Sequence, residues 1–399
     1  MPDPIVTQPC GSGDEPDVDT LIGRRDSMVK RRDVLCGSGA AAFATLVSSL
    51  LAGSRPTHAA ALPGAAPAID KLTVTVVSDS YQLAVAPNAT IGDLEIQHFG
   101  FALSDLPPSK ALLSEFGLAL HAESQSGGET RRVLIDFGFT SEVLNNNLDL
   151  LKIDPTTLDA LVLSHGHYDH FGGLVGFLER NEGRLKPKLP LYLGGEECFC
   201  SREWKAPPTK GNFGALDRKA LAQADLAVTY TERPSAIASH AFTTGQIELA
   251  SFENVLAPTA MTIGARDGIG CYADKLPEDE RTQTVIPDQF RHEIAVAYNL
   301  KGRGLVILTS CSHRGVVNIV KRAQTASGER RVHAIVGGFH LAPQKEDYVR
   351  ETVAALKEID PDYIIPMHCT GDVFYDLAKV EMPGKLVRSY TGTRFIFGT

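Results

Sequence analysis

Residues 163–173 read "LSHGHYDHFGG", and His165, His167, Asp169 and His170 fall within six positions of it. A short apolar run, residues 160–163, leads into the stretch, and "FGGLVGFLER" leaves it with helical spacing and glycines near its start. That pattern predicts a buried strand, a polar turn and then a helix. In His-x-His-x-Asp-His, alternate residues project to one side of an extended turn. His165 and His167 can then hold one ion while Asp169 and His170 hold another. Imidazole and carboxylate suit zinc, and also iron or manganese. Without an ion, four such groups packed together would repel one another on protonation and lack partners in a dry core. The turn therefore reads as a metal centre.

Outward from the turn the chain reads as α/β. "KLTVTVVSD", beginning at Lys71, alternates like a strand, and "RRVLIDFGF" is a second, ending at Asp136 and Gly138. Residues 141–151 carry apolar side chains at helical spacing, and "KLPLYLGG" is a further strand. After residue 290, "EIAVAYNL", "GLVILTSCSH", "RVHAIVGGFHL" and "DYIIPMHCTG" predict strands that each deliver polar residues at their C-terminal ends. Helices over 316–325 and 345–359 separate the last three. The region 196–289 is less regular and reads as loops and insertions over the rim of a site. Strand–helix alternation in two halves predicts two sheets packed face to face with helices outside. The site would lie along one edge, where the strand ends meet.

Of 399 residues, 43% are hydrophobic and 22% charged, an ordinary globular balance, and the net charge of −9 argues against a nucleic-acid partner. Seven cysteines are too few and too irregularly placed for a disulfide framework, and Cys198 with Cys200 in "ECFCS" lacks zinc-knuckle spacing. Residues 1–70 do not read as part of the fold. The first 27 are rich in Pro, Gly, Asp and Ser and are expected to be disordered. "MVKRRDVLCGSGAAAFATLVSSLLAG" follows, with Lys30, Arg31 and Arg32 ahead of a soft apolar run, and small residues at "THAAA" offer a cleavage site. These features predict an export signal resembling the twin-arginine type, with a start at Met28 as conventional as one at Met1, and a periplasmic or secreted product. The apolar run is too interrupted for a membrane span, so no stable membrane insertion is expected after cleavage. Residues 71–399 then form the catalytic domain.

The turn resembles the signature of the metallo-β-lactamase superfamily, an αββα sandwich with one or two metals at its edge. With "VILTSCSH", "VGGFHL" and "PMHCTG" in the same order, it resembles more narrowly a branch labelled 7,8-dihydropterin-6-methyl-aminobenzene ribofuranosyl phosphate synthase-like proteins. The resemblance runs from Lys71 to the C-terminus. It implies that His368 is the last histidine ligand, and that Asp136 orients a ligand histidine through its second nitrogen. Cys311 stands where most relatives have a bridging aspartate, and is either a ligand or an ordinary buried cysteine. The third ligand of the first site is open, in the order His340, His313, His240. Gly337 and Gly338 offer either backbone N–H groups to an anion or a tight turn. Asp288, Arg291 and Arg314 are rim charges within reach of a charged substrate. Two departures from the branch stand out: "FGLA" at residues 116–119 in place of "HGLS", and Asp79-Ser80 in place of Asp-Asn.

The expected cofactor is zinc at two sites, with manganese or iron as alternatives. A metal pair lowers the pKa of bound water from 15.7 towards about 7 and polarises a carbonyl or phosphoryl oxygen. The resulting hydroxide is the expected nucleophile, with Asp169 and His170 as the catalytic pair. The expected activity is hydrolysis of a small ester, lactone, amide or phosphoester. The alternatives are a phosphorylated dihydropterin synthase or transferase, and β-lactam hydrolysis. Oligomeric state is open.

Overall fold

In the computed structural model, which describes residues 56–62, 64–100, 106–205, 211–255 and 259–398, the two predicted halves become two stacked mixed sheets. In the first sheet the strands Glu129–Ile135, Ala160–Leu163, Pro190–Leu193 and Ala227–Tyr230 run parallel. Ala119–Ser126, Lys71–Ser78, Thr393–Gly398 and Leu94–His98 extend it by antiparallel pairing. In the second sheet Gly304–Thr309, Val332–Gly338 and Tyr363–Met367 are parallel, and Val296–Leu300 lies antiparallel to the first of them. Parallel neighbours end on the same side. This is why successive polar clusters gather at one edge in each sheet.

Three apolar layers hold the sandwich together. Leu120, Val162, Val306, Val336, Ile365 and Phe395 belong to the layer between the sheets. Leu144 and Phe177, from the helices Ser141–Leu150 and Leu174–Arg180, pack on the outside of the first sheet. Ile319, Val353 and Phe374, from Val316–Ser327, Glu346–Ile359 and Asp372–Glu381, cover the second. Within Gly304–Thr309, Val306 and Leu308 face the central layer while Leu305 and Ile307 face the helices. A strand covered on both faces reads as an unbroken apolar run, as "GLVIL" does. The αββα class follows directly.

Two boundaries differ from the sequence expectation. The folded chain begins before Lys71: Thr57–His58 pairs with Ala227–Tyr230, Ala61 bridges Ser235, and Ala68–Ile69 pairs with Val296–Leu300. Two-residue edge strands are too short to leave a periodic signal. The remainder of the expected leader lies outside the described residues. Region 196–289 is also more than a rim. It supplies Ala227–Tyr230 to the first sheet and Ser235–Ile237 and Ala241–Thr243 to the second. Its remaining strands form a four-stranded sheet (Gly211–Asn212, Ser201–Trp204, Thr259–Thr262, Val285–Pro287) and a hairpin, Gly264–Arg266 with Ile269–Cys271. A disulfide joins Cys200 to Cys271. Among the described residues no helix is long and apolar enough to cross a membrane.

The helix Val316–Ser327 starts after Gly315 without a side-chain cap of its own. Glu253 supplies one from a distant loop, accepting hydrogen bonds from the backbone N–H groups of Val317 (2.8 Å) and Asn318 (3.2 Å). Burial outweighs those bonds and pushes the Glu253 carboxyl up from 4.5 to about 7. The folded state therefore binds this proton more tightly than the unfolded state does. The resulting stabilisation is complete below about pH 4.5 and is lost as pH rises towards 7. Glu253→Gln should flatten the pH dependence of the urea midpoint across that window; an unchanged slope would show that the carboxyl does not titrate there.

Candidate metal centre

The metal turn is anchored by Asp136, which ends its strand with φ 57°. A non-glycine residue pays to sit in this left-handed region, and the cost is characteristic of functional sites. The Asp136 carboxylate accepts from the Ser164 backbone N–H at 2.8 Å and from the Ser164 hydroxyl at 2.7 Å. It also lies 2.7 Å from His170 Nδ1. With Nδ1 committed, His170 Nε2 faces inward, 3.2 Å from Cys311 Sγ and 3.5 Å from Asp169 Oδ2. His368 Nε2 lies 3.2 Å from the same Asp169 oxygen. On the other flank the His165 ring centroid is 4.9 Å from that of His167 and 4.8 Å from that of His313. His167 is 4.7 Å from His313 and its Nε2 lies 3.4 Å from Thr259 Oγ1.

His165 Nε2 and both ring nitrogens of His313 and His340 are buried without a hydrogen-bond partner among the described residues. Each such atom costs about 1–3 kcal/mol if left unsatisfied. Burial, reinforced by mutual repulsion, holds His165, His167 and His313 well below the ordinary histidine range. They are thus neutral, the form that ligates. Burial also opposes a charge on His170, but Asp169 and then Asp136 override it and raise His170 to about 10. A site that wants positive charge between two carboxylates, beside imidazoles with idle lone pairs, fits a cation. Potential ligand atoms of Asp169, His170, Cys311 and His368 lie within 4.8 Å of one another, as do those of His165, Cys311 and His313.

The three candidates for the third ligand lie at different distances from the turn. The strand ends at Thr309 and the backbone turns at Ser312, φ 60°, so His313 joins His165 and His167. His340 stands one ring further away, 4.2 Å from His313. His240 bonds Ser124 Oγ at 3.0 Å and belongs to no donor group. Gly337 and Gly338 serve close packing. A Cβ at Gly337 would meet the Thr309 carbonyl at 1.7 Å, and the Gly338 N–H is spent on Ser310 O at 3.0 Å. Of the rim charges, Asp288 pairs with Arg202, Arg291 with Asp279, and Arg314 donates to the Ile247 and Gln289 carbonyls.

Supporting residues surround the cluster, and of these His292, Glu197, Arg202 and Glu293 carried no sequence signal. His292 Nε2 accepts the Gly166 N–H at 3.1 Å, between the two histidines of the turn, while Nδ1 lies 3.0 Å from Glu197 Oε2. Arg202 braces the same imidazole from 3.0 Å. Glu293 accepts from the backbone N–H groups of His313 (2.7 Å) and Arg314 (2.8 Å), fixing the loop. Asp79 accepts from the His368 N–H at 2.9 Å and so holds that residue at φ 54°. Phe116, at the departure from the branch pattern, stacks on the His368 ring at 4.8 Å. His167, Asp169, Cys311, His313, His340 and His368 face a cavity of about 540 Å³, walled by Phe116, Phe139, Tyr168, Trp204 and Phe213.

A model of the metallo-β-lactamase superfamily matches residues 126–184, the segment that carries the turn. The chain belongs to that superfamily. It is 30% identical, over 70% of its length and 89% of the relative's, to the 7,8-dihydropterin-6-methyl-4-(β-D-ribofuranosyl)-aminobenzene-5'-phosphate synthase of Methanocaldococcus jannaschii. An uncharacterized protein of the same organism is 28% identical over 66% of this chain and 87% of its own. A crystal structure described as a metal-dependent hydrolase of the β-lactamase superfamily shares the fold, with a TM-score of 0.57 at 24% identity, covering 81% of this chain and 98% of that one.

Because Asp136 fixes the tautomer and direction of His170, Asp136→Asn should weaken zinc binding by roughly 10–100-fold. Competition against a chromophoric chelator reads this directly. His240→Ala should leave the affinity unchanged, and a loss there would return His240 to the ligand set.

Proposed function

We propose that the chain is a metal-dependent hydrolase acting on a small ester, lactone, amide or phosphoester. The observation that carries this reading is the convergence of unpartnered imidazole nitrogens and the Asp169 carboxylate on one aromatic-walled cavity. His165, His167 and His313 would hold one ion, Asp169, His170 and His368 another, and Cys311 is within reach of both groups. Zinc suits this set, with manganese or iron as alternatives. When bound, such ions acidify water and polarise the substrate's carbonyl or phosphoryl oxygen. The protein's own contribution is placement. Asp169 keeps an oxygen near His170 and His368 and, partly open to the cavity, accepts a hydrogen bond from the attacking water. Asp136 holds the His170 Nδ1 contact, and the aromatic wall excludes bulk water while packing the apolar part of the substrate.

A second reading, a synthase or transferase on a phosphorylated dihydropterin, is favoured by the name of the 30% identical relative. Against it stands the charge of the cavity. Arg202 is the one arginine or lysine among its described lining residues, and its guanidinium is committed to Asp288 (2.9 Å) and the Cys200 carbonyl (2.7 Å). A neutral ester, lactone or amide needs no free cation on that wall, whereas a phosphoester would depend on the bound ions to meet its charge.

Chelator treatment should abolish turnover of ester or lactone reporters, and zinc should restore it. His167→Ala should lower kcat/KM by about two orders of magnitude or more. Turnover that survives both would remove the metal from the reaction, and exclusive turnover of a phosphorylated pterin would favour the second reading. We further propose a periplasmic or secreted location, supported by the basic and apolar pattern of residues 28–61 and by the Cys200–Cys271 bond, a linkage at home in oxidising compartments. A reporter fused behind residues 1–70 should be exported and should stay inside when Arg31 and Arg32 are changed to Lys; retention of the unaltered fusion would remove this location.

A further inference from the structure

A softer donor set lies beside the imidazole cluster, on the second sheet alone. The parallel strands Gly304–Thr309, Val332–Gly338 and Tyr363–Met367 are adjacent, and at their C-terminal ends Thr309 pairs with Gly337 and Gly338 with Met367. Cys311, His340 and Cys369 each stand two residues beyond the end of one of them. Their potential ligand atoms lie within 4.8 Å of one another, and the two sulfurs are 3.4 Å apart. That separation is far from a disulfide bond of about 2.05 Å. It is close to the roughly 3.8 Å expected for two sulfurs placed tetrahedrally at about 2.3 Å around one zinc ion. Both thiols are buried, Cys311 2% and Cys369 7% exposed, and both His340 ring nitrogens lack partners. Room for the second sulfur is made by the backbone: a Cβ at Gly338 would meet Cys369 Sγ at 2.9 Å. His340 itself holds φ 48°, a conformation that β-carbon sterics resist, at the point where its ring joins this group.

Two weak S–H donors and an imidazole with idle nitrogens, at the edge of the cavity, satisfy one another poorly. One thiophilic cation would satisfy all three. We propose that Cys369 is a metal ligand and that, with Cys311 and His340, it forms a thiolate–imidazole site which biases the centre towards a thiophilic ion, zinc or cuprous copper, over manganese. Cys311 is the shared donor, since it also belongs to the groups around His313 and His368. The inference rests on the metal-holding character proposed above and not on which bond is cleaved.

Cobalt reports thiolate ligation through an intense sulfur-to-metal charge-transfer band in the near ultraviolet. The chelator-treated full chain, saturated with Co2+, should show this band. It should fall by about half in Cys311→Ser and in Cys369→Ser, vanish in the double variant, and keep its intensity in Cys198→Ser, whose buried thiol lies outside the group. Reading differences between variants cancels any contribution from Cys10 and Cys36. Full intensity in Cys369→Ser overturns the proposal. Should the cysteine variants fail to fold, cadmium NMR of the wild type with one equivalent of Cd2+ decides: a shift in the two-thiolate range supports the site, and one in the single-thiolate or nitrogen–oxygen range overturns it. Both spectra are recorded without substrate, so failure here leaves the chelation and His167→Ala outcomes to judge hydrolysis separately.

Discussion

One buried carboxylate organises the catalytic edge. Asp136 reaches from the end of one parallel strand to the beginning of the next turn, binding Ser164 twice and facing His170 once. Ser164 Oγ in turn stands 2.9 Å from His165 Nδ1. A single side chain therefore sets the directions of histidines from both flanks of the centre. The interaction is strong because it is charged, dry and geometrically complete. The sheets bring the strand ends together, but this contact decides where the imidazoles point.

The same logic recurs around the site. Asp136, Ser312, His340 and His368 all occupy left-handed backbone conformations at or near strand termini. Backbone breaks at these positions let chemistry-bearing residues leave the sheets without continuing their alternation. The strain is held by bonds nearby, such as that from the His368 N–H to Asp79. Behind the first flank, Glu197, His292 and Arg202 grip Gly166, where the absence of a side chain is needed: a Cβ there would meet Arg202 Nη1 at 2.3 Å. The clustered histidines thus rest on a scaffold that is already assembled, which would lower the ordering cost of taking up an ion.

Much of this was legible in the sequence, for identifiable reasons. Strands such as Gly304–Thr309 and Tyr363–Met367 are buried on both faces, so their apolar runs announce them. The metal turn concentrates its ligands in six residues, and contiguity makes such a motif readable. What stayed hidden depends on contacts distant in sequence or on local backbone turns. The position of His313 beside His165 and His167 follows from the break at Ser312, which no periodicity encodes. His292 and Glu197 are 95 positions apart and meet only because a loop folds back over the turn. Cys369 sits next to an obvious histidine, and its partnership with Cys311 depends on strand register. The short strands at residues 57–58 and 68–69 carry too few apolar side chains to stand out from the leader.

The bond between Cys200 and Cys271 ties the start of the strand Ser201–Trp204, which carries Arg202 and Trp204, to the hairpin Gly264–Arg266 with Ile269–Cys271, whereas the clustered histidines hang from the two main sheets. The covalent link thus secures the strand from which Arg202 reaches back to His292, the imidazole that holds Gly166 of the histidine turn. A reductant acting on that staple would loosen the cavity wall and the brace behind the turn together.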